Sequence, residues 1–223
     1  MKHLFIFSFI ILSVTTAGAQ TLAEWRDSLA TINKQTELYP DSLELKLSKA
    51  AVNLQLLEWG DAIKACNEVL TKDKNNLSAL YYRAYANNNL RRYELAKNDY
   101  ERFISMSPRN MEARLGLVYT YTKLNRNTDA LDQANNLVEL YPDSSIVYAA
   151  RAEVEKSMKS YETALYDINE ALKRDSDNND LYITKVETLL LLNRKKEAKE
   201  TLDEAVRTGI PRGTLLQWYR KCK

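Results

Sequence analysis

Histidine is all but missing from this chain of 223 residues. The one present, His3, lies in a segment laid out as a secretory signal: basic Met1-Lys2-His3, the apolar run Leu4–Val14, and the small-x-small site Ala17-Gly18-Ala19. Cleavage there leaves a mature chain with no histidine. Ser-His-Asp and Cys-His catalysis and histidine-ligated zinc are then excluded, and the commonest base near neutral pH is lost. The apolar run has 11 residues, whereas an uncleaved anchor would need about 20. No cysteine follows the site to carry a lipid. The expectation is an exported chain with no stable membrane insertion after cleavage. The short Phe/Ile-rich signal points to the periplasm of a Gram-negative cell, with secretion as the alternative.

An excess of one charge is also missing. There are 32 basic and 30 acidic residues, and losing Lys2 leaves 31 against 30. The signs are mixed along the chain, so no basic stripe invites nucleic acid. Of five glycines, one leaves with the signal. The remaining four predict few tight turns and no phosphate-cradling loop, and no cofactor is expected. The two cysteines, Cys66 and Cys222, have neither CxxC nor metal spacing. Cys66 reads as a small apolar filler on an inner helix face, and Cys222 as exposed. A disulfide between them is possible on paper, but the ends of an elongated stack lie too far apart for it.

What the chain does have is repetition. ELYPDS occurs at Glu37–Ser42 and again at Glu139–Ser144, an offset of 102, or three times 34. Pro40, Pro108 and Pro142 share that grid, and Ala62, Ala96, Ala130, Ala164 and Ala198 occupy another register of it without a gap. Ala50, Ala84, Val118, Ala152 and Val186 form a second small-residue series. Within each unit the apolar spacing is helical, and no alternating runs predict strands. In Leu77–Pro108, Leu80, Ala84 and Leu90 mark one helix, and Tyr93, Ala96, Tyr100, Phe103 and Ile104 a second, joined by polar Asn89–Arg92. The hexapeptide marks a joint. Pro40 stops one helix near Leu38; Asp41 and Ser42 cap the next, and Glu44 suits its dipole. Asn110 and Asn178 can cap other units. The alanines are read as points of close helix approach, where larger side chains would overpack.

These residues resemble the tetratricopeptide repeat family, over almost all of the mature chain. Leu77–Asn110 fits best, with Ala84, Tyr93, Ala96, Tyr100 and Pro108. Met111–Ser144 has Leu117, Tyr121, Ala130 and Pro142; Ser145–Asn178 has Tyr148, Ala152, Tyr161, Ala164 and Ala171. Leu43–Asn76 and Asn179–Arg212 keep mainly Ala62 and Ala198. Cys66, Ala134, Ile168 and Leu202 depart from the aromatic at Tyr100, and two units lack the closing proline. The resemblance implies an all-α, right-handed superhelical solenoid of about five helix–turn–helix repeats. The plan is a signal peptide at 1–19, an N-terminal helix in 20–42, repeats at 43–76, 77–110, 111–144, 145–178 and 179–212, and a capping helix and tail at 213–223. Thr21–Thr36 reads as the extra helix, with Trp25, Leu29 and Ile32 on one face. Gly213–Lys221 reads as the cap, with Leu215 and Trp218 covering the last repeat.

By the same resemblance, the first helices line a concave groove that holds a peptide or partner protein. Tyr81, Tyr82, Tyr85, Asn88 and Asn89 would point into it from one unit, Tyr119, Thr122 and Lys123 from the next, then Glu153 and Lys156. Tyrosine offers a rigid apolar face with a polar tip, and asparagine a donor and acceptor for a peptide backbone. Several of these are equally readable as packing residues or solvated surface. The family's carboxylate clamp is absent: Leu47, Ala51, Tyr82, Leu115 and Ala150 stand at its places. Asp175–Asp180 (DSDNND) lacks the glycine and glutamate of a calcium loop and falls on a joint. The expected function is a non-catalytic interaction scaffold, a monomer with a protein or peptide partner. The alternative is a module that self-associates through its C-terminal helix, where Trp218 and Tyr219 adjoin Arg220 and Lys221, or through its convex face.

Overall fold

The computed structural model describes residues 21–222; the signal segment read at 1–19 lies outside them. Among the described residues there are twelve α-helices, one 3-10 turn and no strand. The helices are α1 (Leu22–Leu38), α2 (Leu43–Gln55), α3 (Trp59–Lys72), α4 (Leu77–Asn89), α5 (Tyr93–Met106), α6 (Met111–Lys123) and α7 (Asn127–Leu140). They continue with α8 (Ser145–Ser157), α9 (Tyr161–Arg174), α10 (Asn179–Leu191), α11 (Lys195–Arg207) and α12 (Leu216–Lys221). From α2 to α11 every helix start recurs after 34 residues, which is the all-α repeat read from the sequence. The chain divides into two compact units, Met1–Arg92 and Tyr93–Lys223, so that α1–α4 belong to the first and α5–α12 to the second.

The joints explain the periodicity. The second helix of a pair ends just before the closing proline or its substitute, and the next helix is capped by a side chain. Ser42, Asn76, Asn110 and Asn178 accept from Leu45, Ala79, Ala113 and Leu181 backbone N–H groups. One cap assignment needs correction, and one helix start lacks the side-chain bond. Asp41 does not cap α2 but pairs with Lys72, and that ammonium holds its carboxyl below the usual range. Ser144 leads α8 without a side-chain cap bond; its hydroxyl faces Met111 Sδ at 3.9 Å.

The glycine argument is overturned outright. Within each pair the chain turns through a left-handed residue that is not glycine: Leu57, Arg91, Asn125, Lys159 and Asn193, with φ between 58° and 62°. Each turn is closed by two hydrogen bonds, as when Leu57 N–H donates to Leu54 O and Glu58 N–H to Asn53 O. This is the double closure of a Schellman motif. The bonds satisfy carbonyls at the helix end and hold a conformation that costs an L-residue roughly 1–2 kcal/mol, so the turns need no glycine. Among the described residues glycine takes the same part only at Gly209, after α11.

In the first unit α1 packs on α2, α2 on α3, α3 on α4, and α2 lies beside α4. In the second, consecutive helices from α5 to α11 pack in turn, α6 lies beside α8, and α12 closes on α10 and α11. Both small-residue series are buried throughout, and the five alanines from Ala62 to Ala198 completely so. Cys66 is buried as expected, whereas Cys222 is half-buried rather than exposed, and the two form no disulfide. The cap also differs from a single helix. Arg212–Leu215 forms the 3-10 turn, and only Leu216–Lys221 is α-helical, yet Leu215 and Trp218 do seal the last pair.

Polar contacts bind one pair to the next on the same grid. Arg83 donates to Asn67 (2.7 Å), Tyr121 to Glu101 (2.7 Å), Arg151 to Asn135 (3.1 Å) and Tyr219 to Asp203 (2.7 Å). The four acceptors all lie at multiples of 34 from one another, each near the middle of a second helix. Burial and Glu101 push the Tyr121 phenol upward, and burial and Asp203 raise that of Tyr219 to about 12.

Candidate binding face

The ten residues read as groove-facing fall into two groups, five on α4 in the first unit and five on α6 and α8 in the second. On α4, Tyr81 and Tyr82 meet edge to face at 6.2 Å, and Tyr85 meets Trp59 at 5.9 Å. Tyr82 and Tyr85 also pack against Leu54, Ala62 and Ala86. Their rings are half-buried and therefore partly committed to holding α2, α3 and α4 together. Burial raises the Tyr82 phenol above its ordinary value, as does Cys66. Asn89 is exposed and its amide donates to Tyr85 O at 2.9 Å. Asn88 is only 7% exposed, so it offers no open amide to a peptide backbone.

In the second unit the first helices α6 and α8 lie side by side. Tyr119 is half-buried, with the Lys123 ammonium 5.1 Å from its ring centre and Tyr93 edge-on at 6.5 Å. Thr122 spends its hydroxyl on Val118 O at 2.8 Å, so toward solvent it is chiefly a methyl group. On α8, Lys156 contacts Glu153 at 2.8 Å and lies 3.9 Å from Glu187 of α10. One ammonium thus bridges carboxylates from two successive first helices.

The face extends further than the sequence reading took it. Lys156, Glu187, Leu190, Leu191, Trp218 and Lys221 line a cleft of about 360 Å³. Leu191 is exposed, and the Lys221 ammonium sits 3.9 Å over the Trp218 ring. The missed residues were available from the grid. Tyr85, Tyr119, Glu153, Glu187 and Lys221 stand 34 apart, as do Asn88, Thr122, Lys156 and Leu190. The surface can present an aromatic face, a shared cation and an apolar patch, all preformed.

The Glu155 carboxyl, which burial and Asp167 shift upward, has an oxygen buried among α8 and α9 residues rather than open to this face. Among the described residues no group of three or more His, Cys, Asp or Glu could hold a metal ion.

The comparisons with known proteins agree with the fold. The tetratricopeptide repeat family model matches residues 90–154. A curated relative, the DnaJ protein P58IPK homolog B of Oryza sativa subsp. japonica, is 27% identical over 178 residues. That match covers 78% of this chain but 34% of the rice protein, so the chain spans about a third of its relative's length. Among solved structures, a tetratricopeptide repeat protein from Parabacteroides merdae superposes with a TM-score of 0.70 at 18% identity, covering 90% of this chain and 78% of that one. YrrB, described as a tetratricopeptide repeat protein with an unusual peptide-binding site, superposes with a TM-score of 0.63 at 17% identity, covering 86% and 99%. The tetratricopeptide repeat family model thus matches residues 90–154, and the chain as a whole has the fold of solved tetratricopeptide repeat proteins.

Proposed function

We propose that the chain is a non-catalytic interaction scaffold that binds an extended peptide or partner segment along its first helices, chiefly over α6, α8, α10 and α12. The observation that carries this is the row Tyr119, Glu153, Glu187 and Lys221, flanked by Lys156, Leu190 and Leu191 around the open cleft. A surface already held by its own salt bridges and packing loses little entropy when a ligand arrives. The peptide-binding description of YrrB supports the same use of the fold. The signal-like N-terminal segment supports a place in the cell envelope. The test is capture from envelope extract by immobilised chain, comparing wild type with Tyr119→Ala/Leu191→Ala. The double variant is expected to lose the captured proteins while its Tm stays within a few degrees of wild type. Capture of the same set would refute this placement of the face.

A further inference from the structure

The inner position occupied by Asn53, Asn87, Tyr121 and Leu189 in four repeats is occupied by Glu155 in the remaining one. Asn53, Asn87, Tyr121 and Leu189 are buried, and none is an acid. Glu155 is therefore a carboxyl placed where the repeat otherwise keeps a group uncharged at neutral pH. The residue as a whole is half-buried, but its Oε2 is buried and meets no hydrogen-bond partner among the described residues, as is also true of Asn53 and Asn87 side-chain atoms, which carry no charge.

The surroundings do not supply it with a cation of its own. Asp167 on α9, whose side chain is 1% exposed, takes Arg151 in a two-pronged contact, Nε to Oδ2 at 2.6 Å and Nη2 to Oδ1 at 2.8 Å. The remaining arm, Nη1, donates to Asn135 of α7 at 3.1 Å. Arg151 thus directs three of its five N–H groups at Asp167 and Asn135, and among the described residues no ion pair joins it to Glu155. The groups acting most strongly on Glu155 are Asp167 and Thr163 from α9 and Arg151 from α8 itself, and Asn135 of α7 meets the same guanidinium. Burial first, and then the Asp167 charge, push the Glu155 carboxyl up to about 7, against partial relief from Thr163 and Arg151.

We propose that the α8–α9 hairpin is a proton-gated element, held closed while Glu155 is protonated and opening more readily as pH rises past neutrality. Protonated, Glu155 restores the uncharged occupant that the other repeats have at this position. Ionised, it sets a second negative charge beside Asp167 with no second cation to meet it. The sign follows from linkage. The folded group holds its proton more tightly than the open one, so closure is favoured below the ordinary carboxyl range and that advantage is lost as pH rises through about 7. With an open-state value near 4.5, the opening equilibrium rises about tenfold between pH 6 and pH 8. Because α8 also carries Glu153 and Lys156, loosening it disturbs the proposed binding face. That consequence rests on the scaffold reading, whereas the proton-linked opening does not.

The test is hydrogen exchange read by mass spectrometry on the whole chain at pH 6 and pH 8, normalised for intrinsic exchange. Wild type is expected to show about tenfold more opening of α8 and α9 amides at pH 8. Glu155→Gln should abolish the difference, while Glu139→Gln, an exposed carboxylate on α7, should keep it. A flat wild type, or a dependence that survives Glu155→Gln, overturns the proposal. Should Glu155→Gln fail to fold, a carboxyl ¹³C titration of wild type decides. A Glu155 midpoint near 7 supports the gate, and one near 4.5 overturns it.

Discussion

Gly116 is the position where a single methyl group would do the most local damage. It lies in α6, and a Cβ built there would stand 2.4 Å from Tyr100 Cζ, 2.7 Å from its hydroxyl and 2.8 Å from Cε1. Carbon atoms prefer separations of about 3.5–4.0 Å, so the ring must retreat by roughly 1 Å. It has nowhere to go, because Tyr100 is 1% exposed. Replacing glycine by alanine in a helix gains about 1 kcal/mol. Overpacking a tight core costs about 1–3 kcal/mol, and a contact this short belongs at the upper end. The net expectation for Gly116→Ala is a loss of about 2 kcal/mol, or a fall in Tm of about 4–8 °C for a chain of this size. Urea denaturation followed by circular dichroism measures it.

Two companions isolate the cause. Gly60→Ala, in the first turn of α3 with nothing within 4 Å, should keep the helical gain and be neutral or slightly stabilising. Tyr100→Leu introduces the side chain that Leu202 supplies at the matching place and removes the ring that clashes. Combined with Gly116→Ala, it should lose at least about 1 kcal/mol less than the sum of the separate losses. The steric argument fails if Gly116→Ala is as stable as wild type, or if the pair is simply additive.

The left-handed turns and the buried ion pair give further expectations. Leu57→Gly and Lys159→Gly each relieve a φ near 60° and should raise stability by up to about 1 kcal/mol, read as a higher urea midpoint; a fall would show that their side chains stabilise the turn. Arg151→Met leaves the buried Asp167 carboxylate without its cation and should cost about 3 kcal/mol. Because Glu155 lies beside it, the loss should be greater at pH 8 than at pH 6 in paired denaturation curves.

The repeat was legible because its spacing follows from packing. A helix pair and its two joints close on a neighbour only once per 34 residues, so Ala62 to Ala198 had to recur where backbones approach. The turns were not legible for an equally physical reason. Their left-handed residues, Leu57, Arg91, Asn125, Lys159 and Asn193, share no side-chain chemistry, since the conformation is held by two backbone hydrogen bonds rather than by glycine. Asn88 was misplaced because side-chain chemistry was taken as evidence of direction. An asparagine suited to a peptide backbone sits on a part of α4 that the fold buries. Glu187, Leu190 and Lys221 were missed although the grid already led to them from Glu153 and Lys156.

Regularity and departure from it carry different information in such a chain. A residue that repeats, such as the buried alanine, reports what the stack needs in order to form, and so says little about any one repeat. A residue that breaks the series at a buried position costs stability unless its surroundings compensate. Tyr121 is compensated by Glu101 at 2.7 Å. Glu155 stands at the same place with an unpartnered oxygen and an aspartate for a neighbour. Ionised, it sets a second negative charge beside Asp167; protonated, it fits the repeat. The sequence displays the substitution, but only the coordinates show that the nearby Arg151 guanidinium is paired with Asp167 and bonded to Asn135 rather than to Glu155.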